Sequence, residues 1–413
     1  MNLTEFLDSS PSPHHAVETS IAALGTRFTE YNFSDSSVPA IGFHRFEGSL
    51  VAWVSPESSP PKELRIVGAH TDSPTLRLRP TPDDDAFGFG RLVVEVYGGV
   101  LLNSWLDRDL SIAGKVVLRD GTASLIQSSE AIARIPQLAI HLDREVNDRG
   151  LLLDRHNHLR PIWNTVPGEG SFREWVARNI DVEPSKIASW SISFLDAQPA
   201  AVIGADSSLI SSGRLDNLIS CWAAVQALAN CSQKPDTLSM IALFDHEEVG
   251  SESVTGAAGP LLERLLRILG DKYSLTANQR YDLMQRALFV SADNAHGVHP
   301  NYPEKHDPLN APIVNKGLAI KINENQRYGS SPETTRRALN VCEQAGVAAQ
   351  VFVSRNNIPC GSTIGPISAT RLGIPVVDIG VPQLSMHSAR EIAGMRDCEG
   401  LEKFCRSYLD AAS

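Results

Sequence analysis

This sequence predicts an α/β fold, a mostly parallel sheet covered by helices and interrupted by a β-rich insertion, and three observations carry that prediction. From Val202 onward short apolar runs alternate with helical patterns, which lays parallel strands side by side under helices. From about Pro80 to Ala201 the texture changes to short runs rich in β-branched residues, set apart by Gly, Asp and Asn turns. Ahead of Pro80 the α/β texture is already present. Residues 80–201 therefore read as an insertion between a first part, 1–79, and a second part, 202–413, of one domain.

Taken in order, Ala16 to Leu24 reads as a helix, and Leu50 to Val54 and Leu64 to Ala69 as buried strands. Pro80-Thr81-Pro82-Asp83-Asp84-Asp85 marks the start of the insertion and Asp196-Ala197-Gln198-Pro199 its end. Inside it, Arg91 to Tyr97 and Lys115 to Leu118 are strand-like. Beyond it come strands at Leu238 to Phe244, Leu288 to Ala292, Leu318 to Ile322, Gln350 to Val353 and Val376 to Ile379.

The 413 residues suffice for two or three domains and a large core. Hydrophobic residues at 42% and charged residues at 21% describe an ordinary globular composition. A net charge of -11 argues against nucleic acid or an anionic membrane surface as partner, because both demand a basic face. The six cysteines are scattered with no CxxC pair, which fits reduced thiols and a cytoplasmic setting. The first residues lack the features of a secretion signal, and no apolar run is long enough to span a bilayer.

The most informative segment is Asp245-His246-Glu247-Glu248-Val249-Gly250-Ser251, which sets two adjacent acids directly behind a buried strand. One can bind a metal while its neighbour handles protons, as metal-assisted hydrolysis requires. Alone, such a pair is most often a solvated acidic loop. The rest of the chain repeats the placement: His70-Thr71-Asp72 follows Leu64 to Ala69, Asp216-Asn217 stands before a helical stretch, Asp293-Asn294 ends Leu288 to Ala292, and a short loop beyond Ile379 reaches His387. In open α/β sheets ligands bind outside the carboxyl ends of the strands, so these groups converge on one crevice.

Two histidines and several carboxylates suit zinc, and they are too many for one tetrahedral ion that keeps a position open for water. A pair of ions accommodates them, with Asp216 as the bridge, His70 and Asp293 on one ion, and Glu248 and His387 on the other. Such pairs, about 3.5 to 4 Å apart, activate a shared water and polarise a carbonyl. Glu247 is then the general base. Asp72 completes the catalytic set by accepting the His70 imidazole N–H and fixing its tautomer. His296 and His299 are expected at the pocket wall or in local hydrogen bonds, His246 as a modulator of Glu247, and His14 and His15 at the surface or an interface.

Six blocks now stand in one order across nearly the whole chain: His70-Thr71-Asp72-Ser73-Pro74, Gly213-Arg214-Leu215-Asp216-Asn217, Glu247-Glu248-Val249-Gly250-Ser251, Ser291-Ala292-Asp293-Asn294-Ala295-His296, Cys360-Gly361-Ser362-Thr363-Ile364-Gly365-Pro366 and Met386-His387-Ser388-Ala389-Arg390-Glu391. Together they resemble the signature blocks of the aspartyl aminopeptidase family of dinuclear zinc metallopeptidases, in its bacterial form. The resemblance implies a phosphorylase/hydrolase-like α/β/α sandwich interrupted by a β-rich dimerisation domain, and two zinc ions per subunit. It also implies removal of one residue from peptides with a free N-terminus, and dimers assembled into a tetrahedral dodecamer whose sites face an internal chamber. By the same resemblance Lys321 faces an acidic substrate side chain, giving preference for Asp or Glu, and His141 reaches into a neighbouring subunit's site. Two other readings stay open. One is a different dinuclear hydrolase: a neutral-residue aminopeptidase, a deacylase or a carboxypeptidase. The other is a non-catalytic assembly scaffold, against which the intact set of Glu247 and five ligands speaks.

Overall fold

The computed structural model describes residues 1–411 except Pro167 and Glu169. A nine-stranded sheet runs in the order Thr29–Glu30, Ile41–Phe46, Ser49–Val54, Thr237–Phe244, Glu63–His70, Leu288–Ala292, Val376–Gly380, Leu318–Ile322, Ala349–Val353. Every residue of Ser49–Val54 and Thr237–Phe244 is buried, as strands covered on both faces require. Along Glu63–His70 successive side chains serve opposite layers. Val67 and Ala69 pack with the helices Pro13–Leu24, Leu215–Ala229, Pro332–Ala345 and Met395–Leu409. Leu64 and Ile66 pack with Leu261–Lys272, Ala277–Arg286 and Ile364–Leu372. The α/β/α sandwich read from the sequence is thus what forms. Gly68 is needed between those layers, because a Cβ there would lie 2.2 Å from the Phe289 ring.

The sheet is more mixed than expected. Thr237–Phe244, Glu63–His70, Leu288–Ala292 and Val376–Gly380 are parallel neighbours. Ser49–Val54, however, runs antiparallel to Thr237–Phe244, and Leu318–Ile322 antiparallel to Val376–Gly380. Only Glu47 and Gly48 separate Ile41–Phe46 from Ser49–Val54, and a link that short can join only antiparallel strands.

A second sheet of seven strands lies wholly between Thr75 and Asp196. Ile187–Asp196 pairs with both Thr75–Ala86 and Asp109–Leu118, which closes six of its antiparallel strands into a ring around Trp105, Phe172 and Phe194. Closure leaves few open strand edges. The Pro80–Asp85 stretch does not precede this sheet but lies inside the strand Thr75–Ala86. The register shifts there between Leu78 and Asp83, and an irregularity of this kind is where a strand tolerates prolines. A third sheet of short strands, Ala201–Ile203, Leu209–Ser212, Glu391–Gly394, Pro382–Leu384 and Ala295–His296, was not foreseen. All six cysteines are free. Among the described residues no helix is long and apolar enough to cross a membrane.

Candidate metal centre and active site

The parallel strands end on one side of the sheet, and the expected ligands meet there. His70 closes Glu63–His70 opposite Phe244, so Asp245 to Glu248 emerge beside it. Asp293 follows Leu288–Ala292 directly. Asp216 occupies the first turn of Leu215–Ala229, where Arg214 at φ 63° turns the chain into the helix. His387 sits in the loop between Pro382–Leu384 and Glu391–Gly394.

The distances set these groups in two neighbouring clusters. His70 Nε2 lies 3.6 Å from Asp293 Oδ1, while His387 Nε2 lies 3.5 Å from both Asp216 Oδ2 and Glu248 Oε2. Ligand atoms of His70, Asp216 and Glu248 all fall within 4.8 Å of one another, which leaves Asp216 in reach of both clusters. His70 Nε2, Asp216 Oδ1 and Glu248 Oε1 are buried with no hydrogen-bond partner among the described residues. Buried polar atoms are normally paired, and this nitrogen and these two oxygens form a donor set that fits zinc.

Both imidazoles are oriented by carbonyls. His70 Nδ1 donates to the Asp72 carbonyl at 3.0 Å and His387 Nδ1 to the Gly99 carbonyl at 3.1 Å. A carbonyl only accepts, so each Nδ1 carries its proton and each Nε2 is left for the cage. The electrostatics of these groups favour a cation. Against the effect of burial, Asp216 and Glu248 push His387 up to about 10, and Asp293 and Asp72 raise His70. Burial raises Glu248, and so does Asp216. The crowded carboxylates create the negative potential that a divalent cation neutralises.

Glu247 stands beside this cage. Burial, then Asp293, Asp72 and Asp216 against the opposing His70, bring its carboxyl up to about 7. Its backbone is pinned by Asp72, whose carboxylate accepts from Glu247 N at 3.0 Å, Glu248 N at 3.1 Å and the Tyr97 hydroxyl at 2.7 Å. The Asp72 side chain therefore organises the acid doublet as well as lying 3.4 Å from His70 Nδ1. His246, placed beside the base as its modulator, points its Nδ1 instead to Ser253 and Thr255 at 2.9 and 3.1 Å.

Lys321 is buried, and its Nζ donates to Asp293 Oδ2 and to the Asn294 carbonyl, each at 2.9 Å. That ammonium holds Asp293 below the ordinary carboxylate range although burial opposes it. His296 is solvent-accessible yet enclosed by the cleft; this desolvation lowers its pKa, with Lys321 and His387 acting in the same direction. His299 packs on Tyr302 in a loop whose backbone bonds His306. His141 lies in an exposed segment, outside any strand. His14 and His15 are half-buried rather than superficial, and burial lowers both. Two residues were missed as separate elements of the site. Tyr97 carries no motif of its own. Glu391, at the end of the last block, is buried and accepts from the backbone N–H groups of Leu215, Asp216 and His387 at 2.6, 3.1 and 2.6 Å.

Comparison with known proteins follows this geometry. A family model described as aminopeptidase I zinc metalloprotease (M18) matches residues 6–408. A probable M18 family aminopeptidase 2 from Streptomyces coelicolor is 42% identical over 409 residues, covering 96% of this chain and 94% of its own. One from Stutzerimonas stutzeri is 43% identical over 430 residues, with 99% and 97% covered. A chain of the cryo-EM structure of the Ape4 and Nbr1 complex superposes with a TM-score of 0.94 at 32% identity, over 99% of this chain and 84% of that one. The mApe1 dodecamer of S. cerevisiae gives 0.85 at 25% identity, over 99% and 95%.

Proposed function

We propose that this chain, which belongs to the M18 family of zinc metallo-aminopeptidases, removes single N-terminal residues at a dinuclear centre and prefers Asp or Glu. One observation supports the two-ion reading above all others: His70 with Asp293 and His387 with Glu248 form two clusters, with Asp216 in reach of both. Zinc bound there supplies a polarised scissile carbonyl and a water of lowered pKa.

The chain's own residues do the rest. Glu247 takes the proton from the attacking water and returns it to the leaving amine. A carboxylate accepts a proton and, once protonated, can give it up again, so one group serves both transfers. Asp72 keeps that carboxylate in place through the backbone of the doublet. Lys321 gives two N–H donors to Asp293 and Asn294, and this reading assigns the third donor of its ammonium to an acidic substrate side chain. His296 lines the cleft beside it. His141 acts in a neighbouring copy: Leu138, Ile140 and Leu142 around it are 57%, 45% and 74% exposed, an apolar arm that a partner subunit covers in a dodecamer like that of mApe1.

The test is zinc analysis of the purified protein with rates on a panel of aminoacyl anilides and N-acylated amino acids. Two zinc ions and fastest release of Asp and Glu are expected. Hydrolysis of the acylated compounds alone would transfer the cage to a deacylase.

A further inference from the structure

The ring-shaped insertion reaches the metal centre at the end of the strand Phe89–Tyr97 and at the glycines after it. Tyr97 is buried, and its hydroxyl meets Asp72 Oδ2 at 2.7 Å. The Arg77 guanidinium covers its ring at 3.4 Å, fixing the ring plane. Gly98 follows at φ 73°, so close that a Cβ there would lie 3.1 Å from the Glu248 Cβ. Gly99 offers its carbonyl to His387 Nδ1, and Leu101 N donates back to the His387 carbonyl at 3.0 Å. Ser104 Oγ then accepts from Ala389 N at 2.9 Å. Apart from the Arg77 stack, each contact crosses from the insertion to a ligand, to the base's support or to the loop that carries a ligand.

We propose that Tyr97 and Gly98-Gly99 form a positioning clamp, through which the insertion sets zinc affinity and turnover within its own subunit. Two arms act together. Tyr97 orients Asp72, and Asp72 orients the Glu247-Glu248 turn; Gly99 orients His387, which shares its cluster with Glu248. The clamp rests on the metal-ligand assignment above and adds to it the element that holds Glu248 and His387 in register. Partners behind metal ligands tune affinity or activity by about 10- to 100-fold.

The experiment compares wild type with Tyr97→Phe, which loses one hydroxyl and keeps the ring under Arg77, and with Gly98→Ala, which presses on Glu248 without touching Tyr97. Zinc affinity is read by competition with a chromogenic chelator, and kcat and KM are measured at saturating zinc. Tyr408→Phe is the control, since it removes a buried phenol bond to the Leu288 carbonyl at the far end of the sheet. Both clamp variants are expected to lose about 10- to 100-fold in zinc affinity or kcat, with KM nearly constant, whereas Tyr408→Phe lowers only Tm. Wild-type affinity and kcat in Tyr97→Phe overturn the clamp, as do losses no larger than those of Tyr408→Phe at equal Tm. Failure of the wild type itself to bind zinc would instead remove the metal reading, and the clamp with it.

Discussion

Replacing Lys321 by methionine separates two tasks that one ammonium performs. The new side chain keeps the unbranched length of a buried position, but both 2.9 Å bonds, to Asp293 and to the Asn294 carbonyl, disappear. Removing one partner of a buried ion pair costs about 3–5 kcal/mol. A cation on Asp293 offsets most of that, so the metal-free protein should lose more stability than the zinc-loaded one. The other task concerns substrate. A hydrogen bond from the remaining ammonium proton to an Asp or Glu side chain contributes about 1.5–3 kcal/mol. At about 1.36 kcal/mol per decade, that is a selective loss of roughly 10- to 150-fold in kcat/KM for acidic N-terminal residues, beyond any loss shared by all substrates. The assay is kcat/KM on Asp-, Glu-, Ala- and Leu-anilides at saturating zinc, normalised to bound metal. Equal losses on all four would refute the specificity argument and leave Lys321 as a support for Asp293 alone.

Three further outcomes are expected. Glu247→Gln should lower kcat by about 10²- to 10⁴-fold with zinc content and Tm unchanged; unaltered turnover would revive the scaffold reading. Dialysis against a chelator should abolish hydrolysis and lower Tm, and zinc should restore both, because ligand at about 1,000 times its Kd stabilises the folded state by about 4 kcal/mol; a Tm indifferent to zinc would contradict the cage. Leu142→Asp, at a 74% exposed position, should shift sedimentation toward smaller species while leaving the circular dichroism of the subunit intact, and an unchanged sedimentation profile would remove that arm from the interface.

The strands of the main sheet were legible because burial on both faces forces mostly apolar runs, as at Leu288–Ala292 and Leu318–Ile322, each broken by one polar residue and both found with the bounds expected. The convergence of the candidate ligands was legible because strand ends can be located from such runs. Less could be read where short-range pattern carries no signal. The strand Thr75–Ala86 was obscured by Pro80 and Pro82, which the register shift accommodates. The third sheet has strands too short for periodicity, some of only two or three residues. Tyr97 looked like any strand residue, since its role depends on Asp72, which is adjacent only in the folded chain. The contacts of His246 were hidden for the converse reason. It is next to the base in sequence, but φ 64° turns it toward Ser253 and Thr255.

The closeness of His70 to the ring has a practical side. Only Thr71 to Pro74 lie between that candidate ligand and the strand Thr75–Ala86, and the chain returns at Ile187–Asp196 with Asp196 bonded to Arg390 of the loop that bears His387. Trimming this protein by splicing out the ring would thus take away a phenol, a carbonyl and an anchoring carboxylate in one cut. A transplant of the cage into another scaffold would have to bring along substitutes for all three, making the ring part of the smallest unit that can be moved.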